Sequence, residues 1–166
     1  MKPIKILLII LFLNPFVTKA QSVYTHAPDD QEALFFTSEL FNVKANGKQD
    51  VSDALQLAIN KLKKERNFGV LFIPEGKYLI SKTIYVPKAI RIIGYGQNRP
   101  EFILDKNTVG YQDKFNYMFW FTSNLVEEGL EPEDATAGTF YSAISNIDFR
   151  IEEGNSKAIA LRTHFA

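Results

Sequence analysis

Between Asn67 and Leu104 turn-forming residues interrupt the chain every few positions, so no helical period can be sustained there. Val70-Leu71-Phe72-Ile73 is stopped by Pro74-Glu75-Gly76, and Tyr78-Leu79-Ile80 follows. Thr83 to Val86 ends at Pro87, Ala89 to Ile93 ends at Gly94-Tyr95-Gly96, and Glu101 to Leu104 makes a fifth β-rich run. Strands this short and this close exclude a helical bundle. They leave a sandwich or a coiled, stacked β architecture. The 166 residues are 46% hydrophobic and include 14 Phe, 7 Tyr and 1 Trp, enough apolar surface for one packed domain and too much for a disordered tail.

One helix precedes these strands. Val51, Ala54, Leu55, Ala58, Ile59 and Leu62 recur at three- and four-residue steps and form a single apolar stripe. Asp50 is the expected N-cap, with Ser52 and Asp53 in the first turn, where negative charge suits the helix dipole. Lys61, Lys63, Lys64 and Arg66 suit its other pole, which explains the basic cluster without a ligand. Ahead of the helix, Gln21 to Thr37 has no period and reads as a surface lead-in. Gly94-Tyr95-Gly96 follows a strand, as a phosphate loop would, but no third glycine or helix comes after it; its glycines fit a sharp corner between strands.

Downstream, Phe115, Tyr117, Phe119 and Phe121 alternate with Asn116, Met118, Trp120 and Thr122. This is a strand with bulky groups on both faces, suited to two-sided burial or, if exposed, to stacking on sugar rings. Glu127 to Ala137 reads as an acidic loop. Ile144, Ile147, Phe149 and Ile151 lead to a Glu152-Glu153-Gly154-Asn155 turn and then to Ile159 and Leu161. Alternation places Asp148 and Arg150 together on one strand face, their Cα atoms about 7 Å apart, and turns Arg162 and His164 outward. An exposed ion pair between Asp148 and Arg150 is the simplest reading of that pair. The pattern runs on to Ala166 without a closing strand, as expected of a fragment of a longer domain.

The first residues carry an address. Lys2 and Lys5, the apolar run Ile6 to Leu13 and the small-residue site Thr18-Lys19-Ala20 form a secretory signal, interrupted too early by Asn14 and Pro15 to span a bilayer. Cleavage would leave a secreted or periplasmic bacterial protein with no stable membrane insertion. The 19 basic residues balance 19 acidic ones, so no electrostatic excess drives binding to nucleic acid. With no Cys there is no disulfide framework, no thiolate nucleophile and no Cys-based metal site.

Phe41-Asn42-Val43-Lys44-Ala45-Asn46-Gly47, Asp50 to Ile59, Gly69 to Ile80, and Ile92-Ile93-Gly94-Tyr95-Gly96 occur in an order that resembles the N-terminal signature of the pectate-lyase-like superfamily. That group contains rhamnogalacturonase-type, polygalacturonase-like, epimerase-like and exo-glucanase-like proteins. Phe68 stands where the signature carries the first glycine of a pair, and Asn46-Gly47 where Gly-Asp-Gly is common. Ser145 to Phe149 resembles the first regular rung of such a fold. The resemblance implies a mainly β chain, a right-handed parallel β-helix whose open end is plugged by an N-terminal amphipathic capping α-helix. The expected organisation is a signal over 1–20, a lead-in over 21–38 and the β-helix over 39–166.

By the same resemblance the chain is the N-terminal part of a secreted carbohydrate-active enzyme acting on an extracellular polysaccharide. Hydrolysis would use two carboxylates and no cofactor; elimination would use a Brønsted base, with Ca²⁺ to acidify the uronate α-proton. In such families the catalytic residues lie on central rungs, which places them beyond Ala166 and leaves this stretch inactive alone. Asp148, Arg150, Arg162 and His164 are the candidate substrate-binding residues. The alternative is a non-catalytic β-helix module: glycan-binding, adhesin or tailspike-like.

Overall fold

The computed structural model describes residues 21–127, 130–136 and 140–163, so the expected signal at 1–20 and His164 lie outside the described residues. After a two-residue strand β1 (Leu34–Phe35) come α1 (Ser38–Phe41), β2 (Asn46–Asp50) and α2 (Ser52–Arg66). Then three coils follow. β3 (Gly69–Pro74), β4 (Lys77–Ile80) and β5 (Ile84–Pro87) form the first; β6 (Ile90–Tyr95), β7 (Glu101–Leu104) and β8 (Asn116–Thr122) the second; β9 (Ala143–Ser145), β10 (Asp148–Ile151) and β11 (Ala158–Arg162) the third.

Each coil gives one strand to each of three parallel sheets: β1-β3-β6-β9 (sheet 1), β10-β7-β4-β2 (sheet 2) and β11-β8-β5 (sheet 3). This is a parallel β-helix. Every strand run anticipated from the turn residues is present.

Stacking in register aligns like residues along the interior. Leu71 lies over Ile92 and Ile144 in sheet 1, Tyr78 over Phe102 and Phe149 in sheet 2, and Ile84 over Phe119 and Leu161 in sheet 3. Aromatic rings run up the inside in successive contact from Phe41 through Phe36, Tyr78, Phe102 and Phe119 to Phe149, with centroids 5.0–5.8 Å apart. Each fully buried ring contributes about 2–3 kcal/mol of transfer free energy. The Tyr78 hydroxyl, pushed up from its ordinary pKa by burial, donates to the Pro74 carbonyl at 2.8 Å, so the stack tolerates its one polar atom.

α2 closes one end of this interior. Leu55, Ala58, Ile59 and Leu62 are buried, as the apolar stripe requires, and the helix packs on β3, β5 and β6. Sheets 1 and 2 have four strands and sheet 3 has three; at β5, α2 takes the place of the missing neighbour. Gln56 performs the substitution: its Oε1 accepts from the Tyr85 N–H at 2.8 Å, and its Nε2 donates to the Tyr85 carbonyl at 3.0 Å. Ser52 Oγ accepts from the Ser81 N–H at 2.9 Å, and Lys63 Nζ donates to the Lys88 carbonyl at 3.0 Å. Positions 52, 56 and 63 share a helix face, so one face satisfies an edge that would otherwise invite pairing.

Three sequence expectations are corrected. Val51, not Asp50, is the cap residue of α2; Asp50 ends β2, and its carboxylate reaches in to accept from the Ser52 N–H at 2.9 Å. The lead-in is not confined to the surface, because β1 pairs with β3 and Phe36 is fully buried. Gly94 is not a corner but an in-line strand residue of β6; a Cβ there would overlap the Asn146 carbonyl oxygen and sit 2.7 Å from Pro100.

Candidate functional site

The outer face of sheet 2 carries charge in register. Lys77, Glu101 and Asp148 are lateral neighbours on β4, β7 and β10, with Asn46 of β2 beside Lys77. Adjacent strands are about 4.8 Å apart, so these groups form a tight polar row. Two turns add to it: Glu75 from the β3–β4 turn, and Asn98 and Arg99 from the β6–β7 connection. Together they line a groove of about 430 Å³.

Gly96 makes the two turns compatible. It has φ +127°, and a Cβ on it would overlap Cβ of Glu75. The close approach lets the Glu75 carboxylate accept from the Asn98 backbone N–H at 2.9 Å and from its side-chain amide at 3.1 Å. The Asn98 N–H and amide hold the Glu75 carboxyl below the usual carboxylate range, which suits a fixed negative charge better than a proton donor.

Asp148 and Arg150 share this face, as alternation requires, but they do not pair with each other. Asp148 Oδ1 faces Arg99 Nη1 at 3.6 Å. Arg150 Nε lies 3.1 Å from Glu101 Oε1, and its Nη1 contacts Glu152. Their partners come from the neighbouring coil: Glu101 is the register partner of Asp148 and is reached diagonally by Arg150, and Arg99 enters from the connection ahead of β7. The side chain of Asp148 is 48% exposed and that of Glu101 26%. Arg99 Nε is buried and has no hydrogen-bond partner among the described residues. Glu101 and Asp148 thus root two carboxylates on neighbouring coils of one face.

Arg162 belongs to a different surface. Tyr85, Trp120 and Arg162 are register partners across sheet 3. Asp134, from the long β8–β9 connection, accepts from Arg162 Nε and Nη2 at 2.5 Å and from Trp120 Nε1 at 2.8 Å. The guanidinium stacks 4.6 Å from the Trp120 ring and 4.8 Å from the Tyr117 ring. Its hydrogen bonds to Asp134 raise the Arg162 pKa above its already high ordinary value. Met118, Phe119 and Phe121 of the same strand are buried. Phe115, just ahead of the strand, stays 62% exposed with Lys157 Nζ 5.0 Å from its ring, whereas the rest of the aromatic row is used internally, with Trp120 packed against Arg162, Tyr85 and Tyr117.

Among the described residues no group of three or more His, Asp or Glu side chains could hold a metal ion, so they do not fit the Ca²⁺ that elimination would use. No helix among them is long and apolar enough to cross a membrane.

Three coils of stacked parallel strands, a helix closing one end and a polar groove along one outer sheet define a capped parallel β-helix module. The model of the family "Rhamnogalacturonase A/epimerase, pectate lyase-like" matches residues 38–166, and the chain belongs to that family. No curated protein matches the chain. Among solved structures, ORF18 of Geobacillus virus E2 superposes with a TM-score of 0.51 at 19% identity, over 78% of this chain and 23% of the viral one. PfbA, a surface adhesin of Streptococcus pneumoniae, superposes with a TM-score of 0.41 at 15% identity, over 73% of this chain and 32% of its own. The chain thus spans less than a third of either. The viral likeness agrees with the β-helix.

Proposed function

We propose that this chain is the N-terminal module of an exported carbohydrate-active protein, and that the sheet 2 groove lies against an extracellular polysaccharide. The observation that carries the reading is the register row of Lys77, Glu101 and Asp148 with Arg99 beside it. It offers donors and acceptors at a strand spacing along an open groove, as a hydroxyl- and carboxylate-rich polymer requires. Membership of a family named for rhamnogalacturonase and pectate lyase supports the polymer class, and the leader sequence supports export.

Within this reading the full protein is a hydrolase or a lyase, and these coils supply the cap and one stretch of groove. One observation favours a non-catalytic binder instead: Glu101 and Asp148 each already face an arginine.

The test is a screen of the chain, and of the longest gene product that contains it, on pectic, alginate and β-glucan polymers, following reducing ends and the absorbance of unsaturated uronates. New reducing ends without that absorbance assign hydrolysis; the absorbance assigns elimination. Asp148→Asn and Glu101→Gln are expected to weaken polymer binding in either case. Retained binding without product selects the binder, and absence of both binding and product overturns the proposal.

A further inference from the structure

A second concavity, of about 620 Å³, opens on the outer side of sheet 1 and shares no lining residue with the groove. Its floor is Val70 and Ala89, at the starts of the first two coils. Two aromatic side chains line it while remaining open to solvent, Phe68 at 66% and Tyr141 at 74% exposure. Both rings are thus open to a ligand on one trough, unlike the stack of rings that fills the interior.

The charged groups that line the trough are unequally engaged. Glu32 is already occupied by Arg66, at 2.9 Å from Oε2 to Nη1, and Asp30 Oδ1 accepts from the Glu32 N–H at 3.0 Å. Arg91 gives one hydrogen bond, Nε to the Tyr141 carbonyl at 3.2 Å, and its Nη groups have none among the described residues. Arg66 and Arg91 line the trough with Asp30 and Glu32, and with Arg66 taken up by Glu32 the Arg91 guanidinium is the cation left to meet a ligand.

We propose that this trough is a second carbohydrate subsite, which takes a uronic-acid unit with its apolar ring face against Phe68 and Tyr141 and its carboxylate on Arg91. Aromatic rings suit the C–H face of a pyranose, a planar guanidinium suits a carboxylate bidentately, and the volume lies within the range of small-molecule sites, about 300–1,000 Å³. The inference rests on the reading that the protein engages polysaccharide, but not on the groove.

The test titrates the 166-residue chain with trigalacturonate and, separately, with cellotriose, and follows backbone amide shifts. Trigalacturonate is expected to shift the amides of Val70, Ala89 and Arg91. Tyr141→Ala and Arg91→Gln are each expected to weaken it by about tenfold or more, while Val109→Ser, at an exposed position that lines neither concavity, leaves it unchanged. Shifts confined to Glu101, Asp148 and their neighbours would support the groove and overturn the trough. Equal affinity for cellotriose, or indifference to Arg91→Gln, would overturn the acidic ligand. No shift anywhere would overturn the trough; the polymer screen above then decides separately whether the groove reading stands.

Discussion

Replacing Gln56 by leucine isolates the claim that α2 stands in for a β-strand. The amide of Gln56 meets both backbone groups of Tyr85, at 2.8 and 3.0 Å, as a neighbouring strand would. Leucine keeps the size and helix propensity of the position but removes both bonds. Each is worth about 1 kcal/mol net, and half-burial of Tyr85 lets water recover only part of the loss. The expected destabilisation is about 2 kcal/mol, or about 4–8 °C in Tm for a domain of this size. Chemical denaturation should give a lower midpoint with an unchanged slope. Asn60→Ala removes only the 2.9 Å bond from Gln56 to Asn60 and should cost less than about 0.5 kcal/mol. The leucine variant should also self-associate with rising concentration, because it uncovers the β5 edge. If Gln56→Leu matches the parent in both midpoint and association, the helix does not act as the missing strand.

Gly94→Ala should cost about 3 kcal/mol by denaturant titration, because the added Cβ overlaps the Asn146 carbonyl and Pro100, neither of which can swing away; a change below about 1 kcal/mol would refute the close approach. For Asp50, burial pushes the pKa up, but bonds from Ser52 and Ser81, aided by Lys82, outweigh it and hold the carboxyl below the ordinary range. A depressed folded-state pKa gives stability that is present above the unfolded value and lost as pH falls through the folded one. Below about pH 4 the parent should therefore lose stability more steeply than Asp50→Asn, and parallel curves would contradict this. Trp120 is the single tryptophan, and its stacking is internal, so saturating polymer should leave its emission maximum unchanged whereas Asp134→Ala should move it; a shift on polymer binding would return sheet 3 to the binding surface.

Residues with a local period or local punctuation announced their structure in the sequence. The α2 stripe, the Pro74-Glu75-Gly76 turn and the short β runs needed only neighbours along the chain. β2 could not be seen this way: Asn-Gly-Lys-Gln-Asp has no apolar residue, and it is a strand only because β4 lies beside it. The face of Asp148 and Arg150 followed from alternation, but their partners, Arg99 and Glu101, depend on inter-coil register. Arg162 pointed outward as expected, yet it is held by Asp134, 28 residues earlier on a loop with no periodic signal. Gln56 carried no mark at all, since a polar residue at the rim of an amphipathic helix is ordinary. The signal that could have exposed it was the inequality of the sheets, which requires the coil count.

The central claim, that the sheet 2 groove is the polymer-facing surface, is tested most directly by hydrogen exchange of the chain with and without the polymer that binds best. The expected result is slowed exchange over residues 75–77, 97–101 and 148–150, lost in Asp148→Asn. Unchanged exchange there under saturating polymer, with protection confined to other surfaces, would contradict it.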